Sequence, residues 1–356
     1  MHDPEGASEQ RLGVRPTLGT MSDSRIERAR TVGVRDVAAR AGVSRQTVSR
    51  VLNDHPEVAP ETRERVLAAM AELGYRVNNA ARALGTRRTR TVGVLASNAE
   101  QQGPARTLAA IEASAREAGY WVSAAFAEAG EADAVVSAVE HLISQGVEGI
   151  VVVAPHARTL DALDALRIEV PIVTLHSSGR GARGLSVDQA AGARLAVGAL
   201  ADAGHTRIAH LAGPADWLEA ESRAEGFAAE IAARGLRSGP VIEGDWSAAS
   251  GYAAAAAIID SGVTAVFCAN DQMALGLIGG LHEAGIRVPG DISIVGFDDI
   301  PDAAYYWPQL TTVRQDFAEL ARRAVDAVIG GGVPAASALD PVAPVLVPRA
   351  SVAPPA

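Results

Sequence analysis

The sequence has no lysine, one cysteine and no long apolar run. Without lysine, every fixed side-chain cation among the 356 residues is an arginine, and the abundance of alanine beside it indicates the codon bias of a GC-rich genome rather than a chemical requirement. The single cysteine, Cys268, excludes an internal disulfide and fits a reducing compartment. It lies in the apolar run 265–269, where we expect a small buried hydrophobe rather than a nucleophile.

The chain also lacks hydrophobic segments of the kind that target or anchor a protein. It shows neither the apolar core of a secretion signal near its start nor a stretch long enough to cross a bilayer. We therefore expect a cytoplasmic protein without a membrane partner. Apolar residues make up 48% of the chain, which supplies a sizeable core, and the length suggests two or three structural units.

Acidic residues outnumber basic ones, but the charge is unevenly distributed. The formal net charge is −10. Residues 31–90 contain eleven arginines and six acidic residues, a net charge of +5, so the remainder carries −15. A basic segment joined to an acidic body is typical of a protein in which only that segment contacts phosphate.

Residues 34–53 form the most informative segment and predict two short helices around a tight turn at Gly42. Ser44 is placed to cap the second helix, because its hydroxyl can accept an otherwise unpaired backbone N–H. At 100° per residue the helix has an apolar arc of Val48, Val51 and Leu52. The opposite, polar arc consists of Arg45, Gln46, Ser49, Arg50 and Asn53. Such an arc is typical of a helix that reads base edges in the major groove, although an amphipathic helix pair with a solvated face has the same pattern.

The pattern of apolar and polar residues changes along the chain and divides it into four regions. Residues 1–30 show no period and predict a disordered tail, in which Met21 is an alternative start. Residues 31–76 form the helix-turn-helix domain, completed by a third helix over 60–73. Residues 77–90 form a linker with a helix-like stretch too short to be stable alone. Residues 91–356 form the body.

In the body, apolar strands alternate with helices, which predicts parallel sheets with helices on both faces and two similar lobes. Strands are expected near 91–96, 121–126, 149–153, 171–175, 207–212, 265–269, 292–297 and 344–349. Helices are expected near 105–118, 132–145, 189–203, 218–234, 248–261, 272–284 and 316–329. Lobe 1 is assigned to residues 91–188 and 316–343, and lobe 2 to residues 189–315 and 344–356.

Motifs in both parts resemble the LacI/GalR family of bacterial transcription regulators. They are the segment 34–53 and, in the body, the segments 244–248, 269–276, 291–299 and 310–317. The resemblance implies an all-α helix-turn-helix head and a two-lobed α/β body like that of periplasmic binding proteins. It also implies a homodimer on double-stranded operator DNA that represses a sugar-utilisation operon. Release would follow when a sugar, for example a galactoside, binds between the lobes; no cofactor, metal or catalytic residue is implied.

For DNA, the resemblance assigns base reading to Arg45, Gln46 and Arg50. It leaves phosphate contacts or helix geometry to Ser44, Thr47, Ser49 and Asn53. It also makes residues 78–84 a hinge helix that orders on the operator. In that helix Asn78, Ala81 and Leu84 belong to the DNA site, and Leu84 wedges into the minor groove.

For the effector, the resemblance implies that Arg223, Asn270 and Asp298 clamp ring hydroxyls while Trp246 covers an apolar sugar face. The rest of the site would be lined by Ser97, Gln101, Pro104, His176, Gln315 and Phe317. In the family branch whose body motifs match, an aspartate stands at His176 and an apolar residue at Gln101, so the sugar stays open. Each assignment has a structural alternative: Asp298 and Asp299 as loop caps, Arg223 paired with Glu219, and Trp246 in the core.

Three other functions remain open. The same fold can use a purine-type corepressor that tightens DNA binding. An enzyme would have to rely on Asp298, Asp299, His156, His176 and Cys268, none of which stands in a known catalytic or metal-ligand pattern. A secreted sugar-binding protein is opposed by the missing signal and by the head. In the family branch whose body motifs match, C-terminal leucine heptads join dimers into tetramers; this C-terminus has none, so the resemblance implies a dimer.

Overall fold

The computed structural model describes residues 32–53, 55–76, 88–127, 131–153, 156–175, 184–331 and 340–356. The chain separates after Asn78 into two compact units, the head and the body. The predicted tail, the predicted hinge residues Asn78, Ala81 and Leu84, and His176 lie outside the described residues.

The head consists of α1 (Val34–Ala41), α2 (Arg45–Leu52) and α3 (Pro60–Glu72). Gly42 ends α1 with a φ of 65°, a left-handed conformation that favours glycine. The predicted cap of α2 is confirmed, because Ser44 Oγ accepts the Thr47 backbone N–H at 3.0 Å. Pro60 opens α3, where its missing N–H costs nothing.

A small apolar core holds the three head helices together. Val37, Val48, Val51 and Val66 are buried in it, one or two from each helix. Leu52, Met70 and Leu73 pack partly buried at its edge. The predicted apolar arc of α2 therefore faces the other helices, which turns the polar arc to solvent.

The body continues with strands and helices in alternation. Its strands are β1 (Thr91–Ala96), β2 (Trp121–Phe126), β3 (Gly149–Val153), β4 (Ile172–Leu175), β5 (Gly184–Leu185), β6 (Arg207–Ala212), β7 (Arg237–Glu243), β8 (Ala265–Cys268), β9 (Ser293–Asp298), β10 (Thr311–Arg314) and β11 (Val345–Val347). Its helices are α4 (Gln102–Glu117), α5 (Ala132–Ser144), α6 (Ala157–Asp164), α7 (Gln189–Asp202), α8 (Leu218–Ala233), α9 (Ala248–Ala253), α10 (Ala255–Ser261), α11 (Asp271–Glu283) and α12 (Phe317–Ile329), with a 3-10 helix over Pro301–Tyr305.

The strands form two sheets, one in each lobe. The first has the order β2-β1-β3-β4-β5 and is parallel throughout. The second has the order β11-β10-β9-β8-β6-β7, and only β11 runs antiparallel to its neighbour. The predicted α/β fold with parallel sheets in two lobes is confirmed.

Helices cover both faces of each sheet. The first sheet packs against α4 and α12 on one face and against α5 and α6 on the other. The second packs against α7 and α8 on one face and against α10 and α11 on the other. Burying each large aliphatic or aromatic side chain in these layers contributes about 1.5–3 kcal/mol. No helix in the described ranges combines the length and the apolarity needed to cross a bilayer.

The chain passes three times between the two lobes. It leaves the first sheet after β5, returns after β10, and leaves again between α12 and β11. Two of these passages are bonded to each other, since the Asp188 N–H donates to Val342 O at 2.9 Å and the Val342 N–H donates to Ser186 O at 2.8 Å. Gln315 lies in the passage after β10.

Most of the predicted strands and helices are confirmed. Those that were not predicted have a weak pattern of apolar residues. β5 is two residues long, and the edge strand β7 contains serine, glycine and proline. In β10, Thr311 and Thr312 are buried, so apolar alternation does not mark the strand. α6 was missed, and the single helix expected over 248–261 is divided at Ala254 into α9 and α10.

The contact between α7 and α8 gives a stability prediction. A Cβ at Gly226 would lie 2.3 Å from the backbone oxygen of Ala190, so Gly226→Ala should lower the free energy of unfolding by about 1–3 kcal/mol. Gly279 is also helical, but its nearest neighbour would be 3.9 Å away, so Gly279→Ala should be neutral or stabilise by up to about 1 kcal/mol. Urea denaturation measures both; equal midpoints for the two variants would contradict the predicted close approach.

Candidate DNA-binding surface and ligand-binding cleft

The polar arc of α2 is exposed along its length. Arg45, Gln46, Ser49, Arg50 and Asn53 are exposed, and a groove beside them is lined by residues 33–36 from the start of α1 together with three of the α2 residues. Long side chains with several donors on an exposed helix face are suited to base edges and phosphates.

The hydroxyls at the start of α2 are engaged within the helix. Ser44 Oγ and Thr47 Oγ1 are 2.9 Å apart, and Asn53 Nδ2 donates to Ser49 Oγ at 3.5 Å. By contrast, the structure shows no hydrogen bond or ion pair from the side chains of Arg45, Gln46 and Arg50 to any described residue. Within the described residues, the three predicted base readers are thus exposed and unpaired.

A cleft between the two lobes of the body encloses about 730 Å³ of atom-free space, its mouth included. Predicted effector residues that line it are Gln101, Pro104, Arg223, Trp246, Asn270, Asp298, Gln315 and Phe317. Ser97 does not line it, although it is buried after β1, and its Oγ has no hydrogen-bond partner among the described residues.

Four side chains in the cleft form a closed ring of polar contacts, which we call the buried ring. Arg223 Nε donates to Gln189 Oε1 at 2.8 Å, and Gln189 Nε2 donates to Gln315 Oε1 at 2.7 Å. Gln315 Nε2 donates to Asp298 Oδ1 at 2.6 Å, and the same oxygen lies 3.6 Å from Arg223 Nη2. The members come from α8, α7, the passage after β10 and the end of β9, so the ring fixes four elements at one point.

Arg223 is buried with its charge compensated. Its Nη1 donates to Ala269 O at 2.5 Å, and its Cζ lies 4.0 Å from the ring centroid of Phe297. Burial lowers the pKa of the guanidinium, and the carboxylate of Asp298 counteracts this. Because arginine titrates so high, it keeps its charge. Arg223 therefore pairs with Asp298 rather than with Glu219, which was the structural alternative.

Asp298 is held in an unusual backbone conformation at the end of β9, with a φ of 104°. Burial raises the pKa of its carboxyl, while Arg223 and Gln315 lower it. A strained residue that aims a carboxylate into a cleft is typical of a ligand site. Its neighbour Asp299 faces elsewhere, in ion pairs with Arg314 and Arg349, each at 2.6 Å.

Trp246 belongs both to the core and to the cleft wall. It is buried, has a φ of 72°, and makes an edge contact with Trp217 at 5.4 Å between centroids. A Cβ at Gly213 would lie 2.1 Å from the indole, so only glycine leaves room for it. Its Nε1 is buried and has no hydrogen-bond partner among the described residues.

Asn270 lines the cleft and is also bonded to protein atoms on both sides of its amide. Its Oδ1 accepts the Met273 N–H at 2.8 Å, which caps α11. Its Nδ2 donates to Trp246 O at 2.9 Å and to Gln272 Oε1 at 3.1 Å. Because these contacts engage both polar atoms, Asn270 positions Trp246 and the helix in this structure.

Sequence reasoning missed several cleft residues, above all Gln189, which completes the buried ring. Trp217 and Glu219 line the cleft from the start of α8. Arg106, on α4 of lobe 1, donates to the backbone oxygens of Asp298 and Asp299 at 2.9 and 3.3 Å and so links the lobes. The four-residue spacing of Glu219 and Arg223 was a usable signal, since it places both on one helix face.

The residues that an enzyme would need are engaged elsewhere. Cys268 is fully buried, and burial raises the pKa of its thiol. His156 Nε2 lies 3.1 Å from Asn98 Oδ1, and its Nδ1 lies 3.2 Å from Asp216 O. No hydrogen bond or ion pair within the described ranges joins Cys268, His156 and Asp299 to one another.

Two family models match the chain. Residues 33–78 match the bacterial regulatory proteins of the lacI family, and residues 197–352 match a periplasmic binding protein-like domain.

Relatives agree with this assignment. The lactose operon repressor of Escherichia coli K12 is 38% identical over 302 residues, which are 83% of each chain. A structure of the lac repressor dimer bound to operator and the anti-inducer ONPF superimposes with a TM-score of 0.78 at 35% identity, covering 90% of this chain and 99% of that one. A complex of the transcriptional regulator CelR with cellobiose gives a TM-score of 0.63 at 31% identity, with the same coverage.

The body motifs predicted particular similarity to the lactose operon repressor, and that similarity is confirmed. The relatives are transcription regulators, not enzymes. With its helix-turn-helix head and its two-lobed body, the chain belongs to the lacI family of bacterial regulatory proteins.

Proposed function

We propose that this protein is a cytoplasmic homodimeric repressor of a sugar-utilisation operon, which leaves its operator when a sugar binds in the cleft. The buried ring carries the proposal, because it presents a charge-paired arginine and carboxylate in a cleft between the two lobes. The exposed polar arc of α2 supplies the DNA-binding half.

On DNA, Arg45, Gln46 and Arg50 would contact base edges, because they are exposed and have no partner in the described chain. Ser44 and Thr47 would mainly set the start of the helix, with Ser49 and Asn53 near the phosphates. Asn78, Ala81 and Leu84 stay a prediction for the hinge. Two heads in a dimer would read two half-sites of a roughly palindromic operator.

In the cleft, the residue types fit a polyol. Arginine offers forked donors, Asp298 accepts hydroxyl protons, and the indole of Trp246 can cover a C–H face. Gln101, Pro104 and Phe317 would close the site from the lobe 1 side. The relative named for lactose and the relative solved with cellobiose support a carbohydrate.

Coupling between sugar and DNA would pass through contacts that cross between the lobes. Arg106 of lobe 1 bonds the backbone at Asp298 in lobe 2, and Gln315 lies in a passage between them. A sugar that binds one lobe arrangement better shifts the protein toward it, by no more than its difference in affinity. The alternative of a purine-type corepressor has less support; a thermal-shift comparison of sugars with purine bases separates the two.

Large apolar side chains on the body surface support the dimer. Tyr305 and Trp307 are 85% and 93% exposed beside the 3-10 helix, and Trp121 and Phe126 are exposed on β2. Exposed groups of this size are typical of subunit contacts, and the relative bound to operator is a dimer.

Arg50→Ala should weaken binding to the operator by about tenfold to a hundredfold, because one arginine contact to a base is worth about 1–3 kcal/mol. Binding to scrambled DNA should fall much less. Gel shifts at one fixed salt concentration measure both. An equal loss on the two DNAs would assign Arg50 to phosphate instead.

Asp298→Asn and Arg223→Gln should leave operator affinity intact but abolish release by the sugar, since each removes half of the buried ion pair. Asp164→Asn, an exposed change on α6, is the matched control and should respond normally. Operator binding is titrated with sugar after a thermal melt has shown that each variant is folded. Normal release in both ring variants would remove the cleft assignment.

Trp307→Glu should shift the protein from dimer to monomer, because a charge would replace a large apolar group at the contact. Trp307→Phe should stay dimeric. Light scattering after size exclusion gives the mass of each. A dimeric Trp307→Glu variant would exclude this surface from the interface.

A further inference from the structure

Glu219 presents a carboxyl group to the cleft, and one of its two oxygens has no hydrogen-bond partner among the described residues. It lies in the first turn of α8 and lines the cleft, and its Oε2 is buried with no hydrogen-bond partner in the described part of the chain. Buried polar atoms are nearly always bonded, so each exception needs an explanation. An atom that opens on a ligand cleft is explained most simply by a ligand.

Arg223, one turn further along α8, makes no hydrogen bond or ion pair with this carboxyl in the described structure. Its donors are engaged by Gln189, Ala269 and Asp298. No ion pair within 4.0 Å joins Glu219 to an arginine or histidine among the residues described. Arg223 therefore serves the buried ring; its charge still lowers the pKa of Glu219, but the effect of burial is larger.

Burial raises the pKa of Glu219 to about 7, and the nearby carboxylate of Asp298 contributes to the rise. An anion that entered the cleft would meet both carboxyl groups, with the cation of Arg223 already paired. A phosphate or carboxylate on the ligand would therefore be repelled at close range. Hydroxyl groups would instead donate to Glu219 and stabilise its charged form.

Trp246 provides the complementary unsatisfied group. Its indole Nε1 is a donor, it is buried in the wall of the same cleft, and it has no partner in the described ranges. The cleft thus holds one unused acceptor and one unused donor. Hydroxyl groups donate and accept at once, so a ligand rich in them satisfies both.

We propose that Glu219 determines the effector class: it accepts hydrogen bonds from hydroxyls of an uncharged carbohydrate, Trp246 Nε1 donates to an oxygen of the same ligand, and phosphorylated or uronic sugars are excluded. The inference rests on the proposed sugar-responsive function and narrows it.

The test is calorimetric titration of the full-length dimer with matched sugars. Each neutral sugar (glucose, galactose, lactose, cellobiose) is compared with its 6-phosphate or uronic acid where one exists. The variants are Glu219→Gln and, as control, Glu221→Gln, which removes an exposed acid two residues away. Glu219→Gln should bind the neutral sugar about tenfold to a hundredfold more weakly, because hydrogen bonds to a charged group are worth about 1.5–3 kcal/mol. Glu221→Gln should match the unmodified protein.

The outcomes separate this inference from the proposed function. If a neutral sugar binds and Glu219→Gln binds it equally well, the role of Glu219 is overturned while the sugar-responsive function stands. If the phosphorylated or uronic partner binds more tightly than the neutral sugar, the assigned class is wrong. If no carbohydrate binds, the proposed effector falls, and this inference with it.

A second measurement is independent of any ligand. The raised pKa means that the folded protein holds a proton on Glu219 between about pH 4.5 and 7 that the unfolded chain has lost, so this group lowers stability as pH rises through that window. The charged groups that act on its carboxyl are Arg223 on α8 and Asp298 on β9. Arg223 in turn interacts with Asp271 on α11 and with the buried His210 on β6. These groups are present in both the unmodified protein and the Glu219→Gln variant. The difference in stability between the two therefore isolates the contribution of Glu219.

Glu219→Gln should therefore melt at a higher temperature than the unmodified protein at pH 8, and the gain should shrink toward pH 5. Glu221→Gln should show no such change. A gain that is the same at both pH values would show that the carboxyl is not buried unpartnered, and the inference would fail.

Discussion

The buried ring depends on one charge held out of water, the guanidinium of Arg223. A charge out of water is tolerated only when its donors are satisfied and a counter-charge is close, and removing one partner of such a pair is typically more costly than the pair is worth. Gln189, Asp298 and the Ala269 carbonyl meet this demand from three different elements. Satisfying one side chain therefore fixes how α7, α8 and β9 approach one another, and Gln315 extends the constraint to a passage between the lobes.

The surrounding backbone shows how the chain accommodates this arrangement. Asp298 and Trp246 both have positive φ values, which non-glycine residues seldom adopt. Each is held from outside: Gln315 bonds the Asp298 carboxylate, and Asn270 bonds the Trp246 carbonyl. Asp271 ties down the next loop, since its carboxylate accepts from Thr312 Oγ1 and the Ile300 N–H. Strain at the cleft is thus offset by hydrogen bonds just behind it.

The sequence predicted most of the helices and strands and indicated two candidate sites. It did not predict the hydrogen bonds between side chains in the cleft. Periodicity located the helices because their buried faces repeat every three or four residues, and the polar arc of α2 followed from the same geometry. Gln189 was missed because a glutamine at the start of a helix looks like a solvated end, and its partner Gln315 is 126 residues away. Asn270 was assigned to the ligand by the family resemblance, and that assignment stays a prediction; the sequence did not indicate that its polar atoms also bond Met273 and Trp246. The type of a residue shows which hydrogen bonds its side chain can donate or accept. Only the fold shows which of those hydrogen bonds are made within the protein.

This distinction bears on how a ligand can act at a distance. Arg223, Asp298, Trp246 and Glu219 all belong to lobe 2, so a ligand held by them alone binds both lobe arrangements equally and shifts nothing, however tight it is. A ligand that also reaches Gln101 or Pro104 of lobe 1 gains contacts in one arrangement that the other cannot give. Arg106 already donates a hydrogen bond across the cleft to the backbone at Asp298. A ligand that changes the lobe arrangement must therefore also change or keep that hydrogen bond. In the function proposed above, affinity would therefore reside mainly in lobe 2, while regulation would depend on the few contacts that a ligand makes with lobe 1.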